Sequence, residues 1–371
     1  MKIGRIDVHR LEIPLERPYR LAFGPVTHYD TVLVTVSGID GETGYGDATL
    51  LTGYTDETID AGHALARDIA RELPGADSAE ASARLVSIGE RAPFIATAFH
   101  TALDMATEHP TLSPNAQTRV PILGLLQGRG EAELGDNFER LRAEGYGTIK
   151  VKVGFDLVGD LATLAMIQAI VDGRVPIRVD ANQGYSASEA AAFIRALDPA
   201  GIELFEQPCA AGDWDAHRAA ADAAAQTGLA LMLDESIYGL ADIVRAAQEH
   251  ACSFVKVKLM KFVGIDALTS AIERIRALGM TPVLGNGVAC DLSCWMEACV
   301  AARSIDSTGE MNGCLKARPM LFANPLVFDD GDVVLDGEPP VLDANAIAIH
   351  IRARESFRIE RVACHAPWSS A

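Results

Sequence analysis

Positive charge is scarce in this sequence of 371 residues. Its 32 Lys and Arg residues stand against 51 Asp and Glu residues, which gives a formal net charge of −19 at pH 7. Nucleic acids and anionic membranes are bound through basic surfaces, so this balance predicts neither of them as a partner. A small anionic substrate stays compatible with the charge, because a metal ion and a few lysines can dominate the field inside one pocket.

Long apolar runs and targeting signals are also missing. No apolar stretch reaches the roughly 20 residues of a membrane span, which argues against a membrane protein. The start, Met1-Lys2-Ile3-Gly4-Arg5, has neither the apolar segment nor the small-residue cleavage site of a signal peptide. We therefore expect a cytoplasmic protein.

Cysteine is present, but without the spacing of a metal cluster or a disulfide framework. The count of seven is odd, and no two cysteines form a CxxC pair. We expect reduced thiols packed in the core, as is usual for cytosolic proteins. The cysteines are Cys209, Cys252, Cys290, Cys294, Cys299, Cys314 and Cys364.

Three regions of the chain differ in their hydrophobic pattern. Residues 1–119 alternate like antiparallel strands and then show helical periods, which is typical of an α+β unit. Residues 120–324 alternate regularly between short apolar runs and helical windows. Residues 325–371 return to strands and loops, and we expect residues 333–335 and 346–352 to be extended. We predict that this last segment completes the amino-terminal unit.

The regular alternation in residues 120–324 predicts a barrel. Parallel strands joined by helices at a nearly constant spacing indicate a TIM-like (β/α)7β barrel, with the α+β unit as its capping domain. An open doubly wound sheet is the competing fold, but residues 123–128 lack the glycine-rich phosphate turn that usually follows its first strand. The candidate strands begin near residues 121, 147, 176, 202, 229, 254, 281 and 305.

Three carboxylates each follow a buried strand segment: Asp180, Glu206 and Asp234. The carboxyl ends of barrel strands converge on one cavity, so these anions would raise each other's pKa unless a cation lay between them. Carboxylate oxygens are ligands that Mg²⁺ prefers. We predict that the three residues bind Mg²⁺, for which Mn²⁺ can substitute. The alternative is that each carboxylate caps a helix or pairs with a lysine.

Lysines provide the second half of the pattern. Lys150 and Lys152 are two apart on one strand, so they point to the same face, where each lowers the pKa of the other and a bound Mg²⁺ lowers both. Lys258 comes from the far side of the barrel, so a bound carboxylate substrate would lie between two bases. Such an arrangement suits removal of the proton α to a carboxylate through an enediolate. Lys256 lies two residues before Lys258, so its side chain would point to the same face. We choose Lys258 as the second base only because it lies at the end of the strand.

The whole chain resembles a known family, the muconate lactonizing enzyme subgroup of the enolase superfamily. The resemblance rests on the motifs Lys150-Val-Lys152, Asp180-Ala-Asn182, Glu206-Gln-Pro208, Asp234-Glu-Ser236 and Lys258-Leu-Met-Lys261. It implies Mg²⁺ on the three carboxylates, Lys152 and Lys258 as an acid/base pair on opposite faces of the substrate, and Lys150 polarising the substrate carboxylate. A Lys or His base acting with Mg²⁺ on an enediolate is the established chemistry of that superfamily.

Two differences from other members of the superfamily narrow the choice of branch that the chain resembles. Mandelate racemases end their seventh strand in a histidine, whereas residues 282–288 contain none. The dipeptide epimerases carry Asp-x-Asp after strand eight for the substrate ammonium, where this chain has Glu310-Met-Asn312. We predict that Glu310 and Asn312 bind a substrate amine or hydroxyl at the cavity mouth. The alternative for Glu310 is a turn-capping role.

By the same resemblance, two amino-terminal segments close the barrel, residues 17–29 and 49–55. Both are rich in aromatic and apolar side chains, which suggests a small, partly apolar substrate and a site that excludes water. We predict that Tyr19, Phe23 and Tyr54 contact the substrate. The alternative for each is ordinary packing between domains.

The predicted activity is Mg²⁺-dependent transfer of the α-proton of an amino-acid-like carboxylate, which makes the protein an isomerase that racemises or epimerises its substrate. A lyase or cycloisomerase acting on the same enediolate is the alternative, because the same lysines serve both reactions. A non-catalytic relative is a third possibility. The expected partners are a small-molecule carboxylate and further copies of the chain in a homo-oligomer.

Overall fold

The computed structural model describes residues 1–21, 24–51, 55–317 and 321–359. Its amino-terminal unit is built on an antiparallel sheet whose strand order is β14-β1-β2-β3. The first two strands form a long hairpin, in which Leu21 pairs with Gly24 near the tip and Ile3 with Gly38 at the base. The strands are β1 (Ile3–Leu21), β2 (Gly24–Gly38), β3 (Thr43–Leu50) and β14 (Ile351–Arg358).

Three helices cover one face of this sheet: α1 (Ile59–Glu72), α2 (Ser78–Gly89) and α3 (Pro93–Ala106). Thr58 and Asp77 cap the first two helices, since each side chain accepts a hydrogen bond from a backbone N–H of the first turn. Helix α3 packs directly on β3. A Cβ atom added at Gly46 would collide with the backbone of α3 at Ala98 and Ala102, so the close approach of helix and strand requires glycine there.

Seven parallel strands in the order β5 to β11 form most of the barrel. A helix follows each strand, so the alternation predicted for residues 120–324 is confirmed. The strands are β5 (Gly124–Leu125), β6 (Ile149–Lys152), β7 (Ile177–Asp180), β8 (Ile202–Glu206), β9 (Leu231–Leu233), β10 (Phe254–Val257) and β11 (Thr281–Leu284). The helices are α4 (Gly130–Ala143), α5 (Leu157–Val171), α6 (Ala187–Ala196), α7 (Trp214–Thr227), α8 (Leu240–Gln248), α9 (Ile265–Ala277) and α10 (Asp291–Ser304).

A short extended segment closes the barrel in place of a full eighth strand. Gly309 forms a parallel bridge with Ile122, and the N–H of Glu310 donates to the carbonyl oxygen of Leu284 on β11 at 3.0 Å. We call residues 308–310 the closing segment. The strand predicted to begin near residue 305 therefore starts later, because α10 continues to Ser304.

The strand predicted near residue 121 is likewise split in two. Residues of β4 (Thr118–Pro121) pair with β13 (Asp332–Leu335), which in turn pairs with β12 (Val327–Asp329), and this small antiparallel sheet lies outside the barrel. The barrel strand itself, β5, follows three residues later. Gly124 and Leu125 pair there with Ile149 and Lys150 of β6.

The carboxy-terminal segment reaches the amino-terminal sheet, where β14 pairs with β1. The prediction that residues 346–352 are extended was wrong for most of that range. Residues Ala344–His350 form helix α11, whose amino terminus is capped by the side chain of Asp343 through the N–H of Asn345. In the described part of the chain, no helix has the length and apolarity needed to cross a bilayer.

The barrel interior is polar towards the carboxyl ends of the strands and apolar below. Leu204, Met232 and Val283 form a small cluster inside the barrel. In the same interior, Arg178 is 1% exposed, and it pairs with Glu203 at 2.7 Å and donates to the carbonyl oxygen of Thr308 at 2.7 Å. These contacts tie β7, β8 and the closing segment together beneath the site.

Candidate active site

Strand register aligns the predicted residues at one end of the barrel. Lys152 on β6 pairs with Asp180 on β7, and Asp180 pairs with Glu206 on β8. Asp234 follows directly after β9. The register thus aligns Lys152, Asp180 and Glu206, whereas Asp234 lies two residues beyond Met232, the partner of Glu206. All four side chains lie at the carboxyl ends of adjacent parallel strands.

Lys150 bridges the two neighbouring carboxylates. Its Nζ lies 2.7 Å from Oδ2 of Asp180 and 2.8 Å from Oε2 of Glu206, with all three side chains at most 2% exposed. Nζ of Lys152 lies 2.6 Å from the same Oδ2 of Asp180, and it also donates to Oδ1 of Asn182. The predicted common direction of Lys150 and Lys152 is therefore observed at their ammonium groups.

Lys258 lies on the barrel wall opposite Lys152 and contacts the third carboxylate, Asp234, which ends the neighbouring strand. Strands β6 and β10 lie four positions apart in the barrel order. Nζ of Lys258 lies 2.7 Å from Oδ2 of Asp234, and Nζ of Lys261 lies 3.1 Å from the other oxygen, Oδ1. Lys261 also lies over the ring of Tyr238, 4.6 Å from its centroid. Asp234 thus lies between two buried ammonium groups.

Lys256 and Glu310 form a second buried ion pair, which the sequence did not reveal. Lys256 is 2% exposed, and its Nζ contacts Oε2 of Glu310 and lies 3.2 Å from Oε1 of Glu206. Nζ of Lys150 lies 2.9 Å from the same Oε2 of Glu310. Glu310, predicted at the cavity mouth, lies instead inside the barrel with two ammonium neighbours.

The ion pairs shift the pKa values of the carboxylates in different directions. Burial alone would raise the pKa of Asp180, but the charges of Lys150 and Lys152 outweigh it and lower that pKa to about 2. Burial is likewise outweighed at Asp234, where Lys258 and Lys261 hold the pKa well below its usual value. Burial and the charge of Asp180 raise the pKa of Glu206. Asp180 and Asp234 are therefore ionised at neutral pH.

Carboxylates have the largest charge effect on the pKa values of the two β6 lysines. Burial lowers the pKa of Lys150, but Asp180, Glu206 and Glu310 outweigh it and raise that pKa well above its usual value. The pKa of Lys152 is raised in the same way, chiefly by Asp180 against burial, although the charge of Lys150 lowers it as expected. The carboxylates dominate because each ammonium lies within 2.9 Å of a carboxylate oxygen, where opposite charges attract strongly.

Three polar residues that the sequence analysis did not single out support the site: Asn182, Gln207 and Glu235. Asn182 accepts from Lys152 and donates from Nδ2 to Oε1 of Glu235 at 3.0 Å. Burial and the charge of Asp234 raise the pKa of Glu235 to about 7. Their positions could have identified them in the sequence, since each lies within two residues of a strand-end carboxylate.

Gln207 fixes the segment that carries Asp234. Its Oε1 accepts from the backbone N–H groups of Asp234 at 2.9 Å and Ser236 at 3.2 Å, and its Nε2 donates to the carbonyl oxygen of Cys209 at 2.8 Å and to Oγ of Ser236 at 2.8 Å. Gln207 is fully buried, and its φ of 38° lies in the left-handed region. A non-glycine residue is held in this region only where its surroundings fix it strongly.

The donor set fits a hard divalent cation. Asp180, Glu206 and Asp234 are at most 1% exposed and end three adjacent strands, where Lys150, Lys256, Lys258 and Lys261 are their positive neighbours. Carboxylates alone, without thiolate or imidazole, are the ligand type of Mg²⁺ and Mn²⁺ rather than of zinc. The ligand type therefore fits the predicted metal, but within the described residues these three carboxylates do not bring one oxygen each to within 4.8 Å of the other two.

A cavity of about 590 Å³ is lined by residues of β1, β5 and α4 and by residues 312–316, and its wall includes neither the three carboxylates nor the lysines that contact them. Tyr19 is largely buried there under Lys316, whose Nζ lies 4.9 Å from the ring centroid. Asn312 also lines this cavity and donates from Nδ2 to the carbonyl oxygen of Leu123 at 3.0 Å. Phe23 and Tyr54, predicted as substrate contacts, lie outside the described residues.

Comparison with known proteins yields matches along most of the chain. A family model described as enolase C-terminal domain-like matches residues 133–339. The model of the mandelate racemase/muconate lactonizing enzyme N-terminal domain matches residues 5–109.

Two curated relatives and one solved structure illustrate the similarity. An L-Lys-D/L-Arg epimerase of Methylococcus capsulatus is 34% identical over 71% of this chain and 77% of its own. An L-Ala-D/L-Glu epimerase of Bacillus subtilis is 26% identical over 91% of this chain and 96% of its own. The dipeptide epimerase of Cytophaga hutchinsonii, solved with Mg and the dipeptide D-Ala-L-Val, is 21% identical and shares the fold, with a TM-score of 0.85 over 96% of this chain and 100% of that one.

The barrel, its buried lysines and carboxylates, and the two matched domains lead to one conclusion: the chain belongs to the mandelate racemase/muconate lactonizing enzyme family of the enolase superfamily.

Proposed function

We propose that this isomerase removes the α-proton of an amino-acid-like carboxylate and returns it on either face, so that the substrate is epimerised. One observation carries the proposal: Lys152 and Lys258 project from opposite walls of the barrel towards the same group of carboxylates. Lys152 pairs with Asp180 at 2.6 Å, and Lys258 pairs with Asp234 at 2.7 Å. A substrate held between these lysines offers one face to each of them.

The relatives support the same reaction class. Two of the curated relatives are named as an L-Ala-D/L-Glu epimerase and an L-Lys-D/L-Arg epimerase. Epimerisation requires a base on each side of the α-carbon, or one base that reaches both sides. Two lysines facing each other across the barrel meet the first requirement.

In this proposal Asp180, Glu206 and Asp234 hold Mg²⁺, with Mn²⁺ as a substitute. When bound, the dication supplies positive charge that offsets the negative charge developing on the substrate carboxylate. The three carboxylates suit this role because they are buried and end three adjacent strands of the barrel.

The remaining roles belong to side chains of the barrel. Lys150, fixed between Asp180 and Glu206, places a permanent positive charge where the substrate carboxylate would lie. Lys152 takes or returns the proton on one face, and Asn182 orients its ammonium group. Lys258 does the same on the other face. The largely buried Tyr19 helps to exclude water from this site.

We also propose that residues 1–119 and 325–371 act together as the capping domain over the barrel of residues 120–324. The pairing of β14 with β1 supports this division. Tyr19, near the end of β1, lines the same cavity as Asn312.

Solvent exchange tests the proposal directly. The purified protein is incubated in D₂O with Mg²⁺ and a library of amino-acid derivatives, and the α-proton is followed by NMR together with chiral separation of the products. Loss of the α-proton signal with formation of the opposite stereoisomer supports epimerisation. A new unsaturated or lactone product would assign the chain to lyase or cycloisomerase chemistry instead, and absence of exchange throughout the library would contradict both.

A further inference from the structure

Glu297 is a buried carboxylate that has no role in the proton transfer described above. It lies on α10 and is completely buried. Its Oε1 accepts a hydrogen bond of 2.8 Å from the backbone N–H of Leu259. Oε2 is buried as well and has no hydrogen-bond partner among the described residues. The burial of a carboxylate with a single hydrogen bond costs free energy, which marks Glu297 as a candidate for a role in function.

The N–H of Leu259 belongs to the peptide group that follows Lys258. Strand β10 ends at Val257, and Leu259 begins a short 3₁₀ helix that ends at Lys261. The first N–H groups of a helix have no acceptor within it, so Glu297 supplies one. The carbonyl oxygen of the same peptide group accepts from the N–H of Lys261 at 3.0 Å. Both ends of this peptide plane are thus fixed, and its orientation sets the backbone angle ψ of Lys258, which is 137°.

Lys152, the other proposed base, does not depend on a side chain in this way. The N–H of Val153, which follows it, donates to the backbone carbonyl oxygen of Asp180 at 2.9 Å, next to the pairing of β6 with β7. A substitution at position 297 can therefore disturb the backbone at Lys258 and leave the backbone at Lys152 unchanged.

The lysines of β10 favour the same role for Glu297. Burial raises the pKa of Glu297 to about 7, although the hydrogen bond from Leu259 and the charges of Lys258 and Lys256 oppose the shift. The two lysines therefore favour the ionised carboxylate. An ionised carboxylate is a stronger acceptor for a backbone N–H than a neutral group.

We infer that Glu297 is a positioning residue for proton transfer on one face of the substrate: through the N–H of Leu259, it orients Lys258 towards the α-carbon. This inference rests on the proposed function and adds a residue to it. Glu297 acts through the backbone, so it is not itself a catalytic residue. Since only one of the two bases depends on it, its loss should impair proton transfer with one enantiomer more than with the other.

The experiment measures α-proton exchange in D₂O separately for each enantiomer of an accepted substrate, with Mg²⁺ present. Glu297→Met keeps the length of the side chain and removes the acceptor. Lys258 serves the enantiomer whose α-proton Lys152→Ala still exchanges. We expect Glu297→Met to slow exchange of that enantiomer on the order of 10–100-fold in kcat, and to change exchange of the other by less than about twofold.

Two control variants separate positioning from packing. Glu297→Gln keeps an acceptor in the same place and should hold exchange of both enantiomers within about threefold of the wild type. Met296→Leu changes the packing of the neighbouring buried residue, leaves the hydrogen bond in place and should exchange both enantiomers like the wild type. Because Lys258 also contacts Asp234, Mg²⁺ affinity is titrated in each variant, so that loss of metal is not mistaken for a misplaced base. If Glu297→Met does not fold, Glu297→Ala replaces it with the same expectation.

Each outcome has a distinct meaning. An equal loss of exchange with both enantiomers, or no loss with either, in a folded and metal-binding Glu297→Met or Glu297→Ala variant overturns the inference and leaves the proposed function standing. A selective loss in Glu297→Gln as large as in Glu297→Met overturns the hydrogen bond to Leu259 as the cause. Absence of α-proton exchange by the wild-type enzyme with every compound tested contradicts the proposed function itself.

Discussion

Nζ of Lys258 lies 2.7 Å from Oδ2 of Asp234, and both side chains are almost completely buried. One wall of the barrel thus joins a proposed base to a proposed metal ligand. A carboxylate that binds a dication is a weaker partner for an ammonium group, because its negative charge is already offset. We therefore expect a metal at Asp234 to release Lys258 towards the substrate.

Removal of the metal should abolish activity and leave the fold intact. The barrel is held by its apolar core and strand pairing, while the lysines already neutralise the carboxylates. Treatment with a chelator, followed by circular dichroism and assay, checks this expectation, and Mg²⁺ or Mn²⁺ should restore turnover. Full activity of exhaustively metal-free protein would remove the assignment of Asp180, Glu206 and Asp234 as ligands.

Glu206→Gln should be as inactive as the metal-free protein, since one anionic ligand of a hard cation is lost. Glu203→Gln is the matched control, because Glu203 lies on the same strand three residues earlier and pairs with Arg178 at 2.7 Å. We expect the control variant to bind Mg²⁺ like the wild type in a calorimetric titration. Equal Mg²⁺ affinity of Glu206→Gln and the wild type would contradict the ligand role.

Gln207→Leu should weaken metal binding without removing a ligand. The change deletes the hydrogen bonds that hold the backbone of Asp234 and Ser236, so Asp234 would no longer be held in place. We expect metal affinity to fall roughly 10–100-fold, as for other residues that orient metal ligands. The loss of buried hydrogen bonds should also lower the free energy of unfolding by about 1–3 kcal/mol. Wild-type Mg²⁺ affinity in this variant would show that Asp234 is positioned by other contacts.

Asp47 should make stability depend on pH. Burial raises its pKa to about 6, although a hydrogen bond from Oγ of Ser293 at 2.7 Å opposes the shift. Between the unfolded pKa of about 3.9 and the folded value, only the folded state holds this proton, so the contribution of Asp47 to stability falls as pH rises, by up to about 3 kcal/mol. Asp47→Asn has no titrating group at this position and therefore lacks this pH-dependent contribution to stability. Relative to the wild type, it should therefore gain stability between pH 4 and pH 8.

Urea unfolding of both proteins at several pH values measures this gain. The exposed Asp222 on α7 offers a control in Asp222→Asn. A difference between Asp47→Asn and the wild type that stays constant with pH would show that Asp47 is ionised in the folded protein at low pH as well.

Two glycine substitutions should change stability in opposite directions. Gly46→Ala places a methyl group against the backbone of α3, so we expect a loss of about 1–3 kcal/mol. Gly135→Ala lies within α4, where an added Cβ meets no neighbour, and it should gain roughly 0.5–1 kcal/mol from helix propensity. Denaturant unfolding of the two variants checks both signs, and a stable Gly46→Ala would mean that β3 and α3 can move apart at little cost.

Much of the barrel was predictable, because parallel strands buried on both faces alternate with helices at a regular spacing. Parity along β6 placed Lys150 and Lys152 on one face, and the register with β7 and β8 brings them to Asp180 and Glu206. Residues 346–350 were predicted as extended because their apolar character fits a strand. The capping bond from Asp343 and the packing of Ala346 and Ile347 favour a helix instead.

The ion pairs of Glu310 could not be predicted from the sequence. Its partners Lys150 and Lys256 are 160 and 54 residues away in the chain, and they meet Glu310 only because the closing segment bonds to β11 on one side and to residues near β5 on the other. The alternation of side chains along a strand also could not distinguish Lys256 from Lys258, because both point to the same face. Contacts separate them: Lys256 reaches Glu206 and Glu310, whereas Lys258 reaches Asp234.

The central claim is that Lys152 and Lys258 act on opposite faces of the α-carbon, and stereospecific exchange in D₂O tests it most directly. Each enantiomer of an accepted substrate is incubated with Lys152→Ala and with Lys258→Ala, and the α-proton is followed by NMR. We predict that neither variant epimerises the substrate, that each still exchanges the α-proton of one enantiomer, and that the exchanging enantiomer differs between the two variants. Normal epimerisation by either variant, or exchange of the same enantiomer by both, would contradict the two-base account.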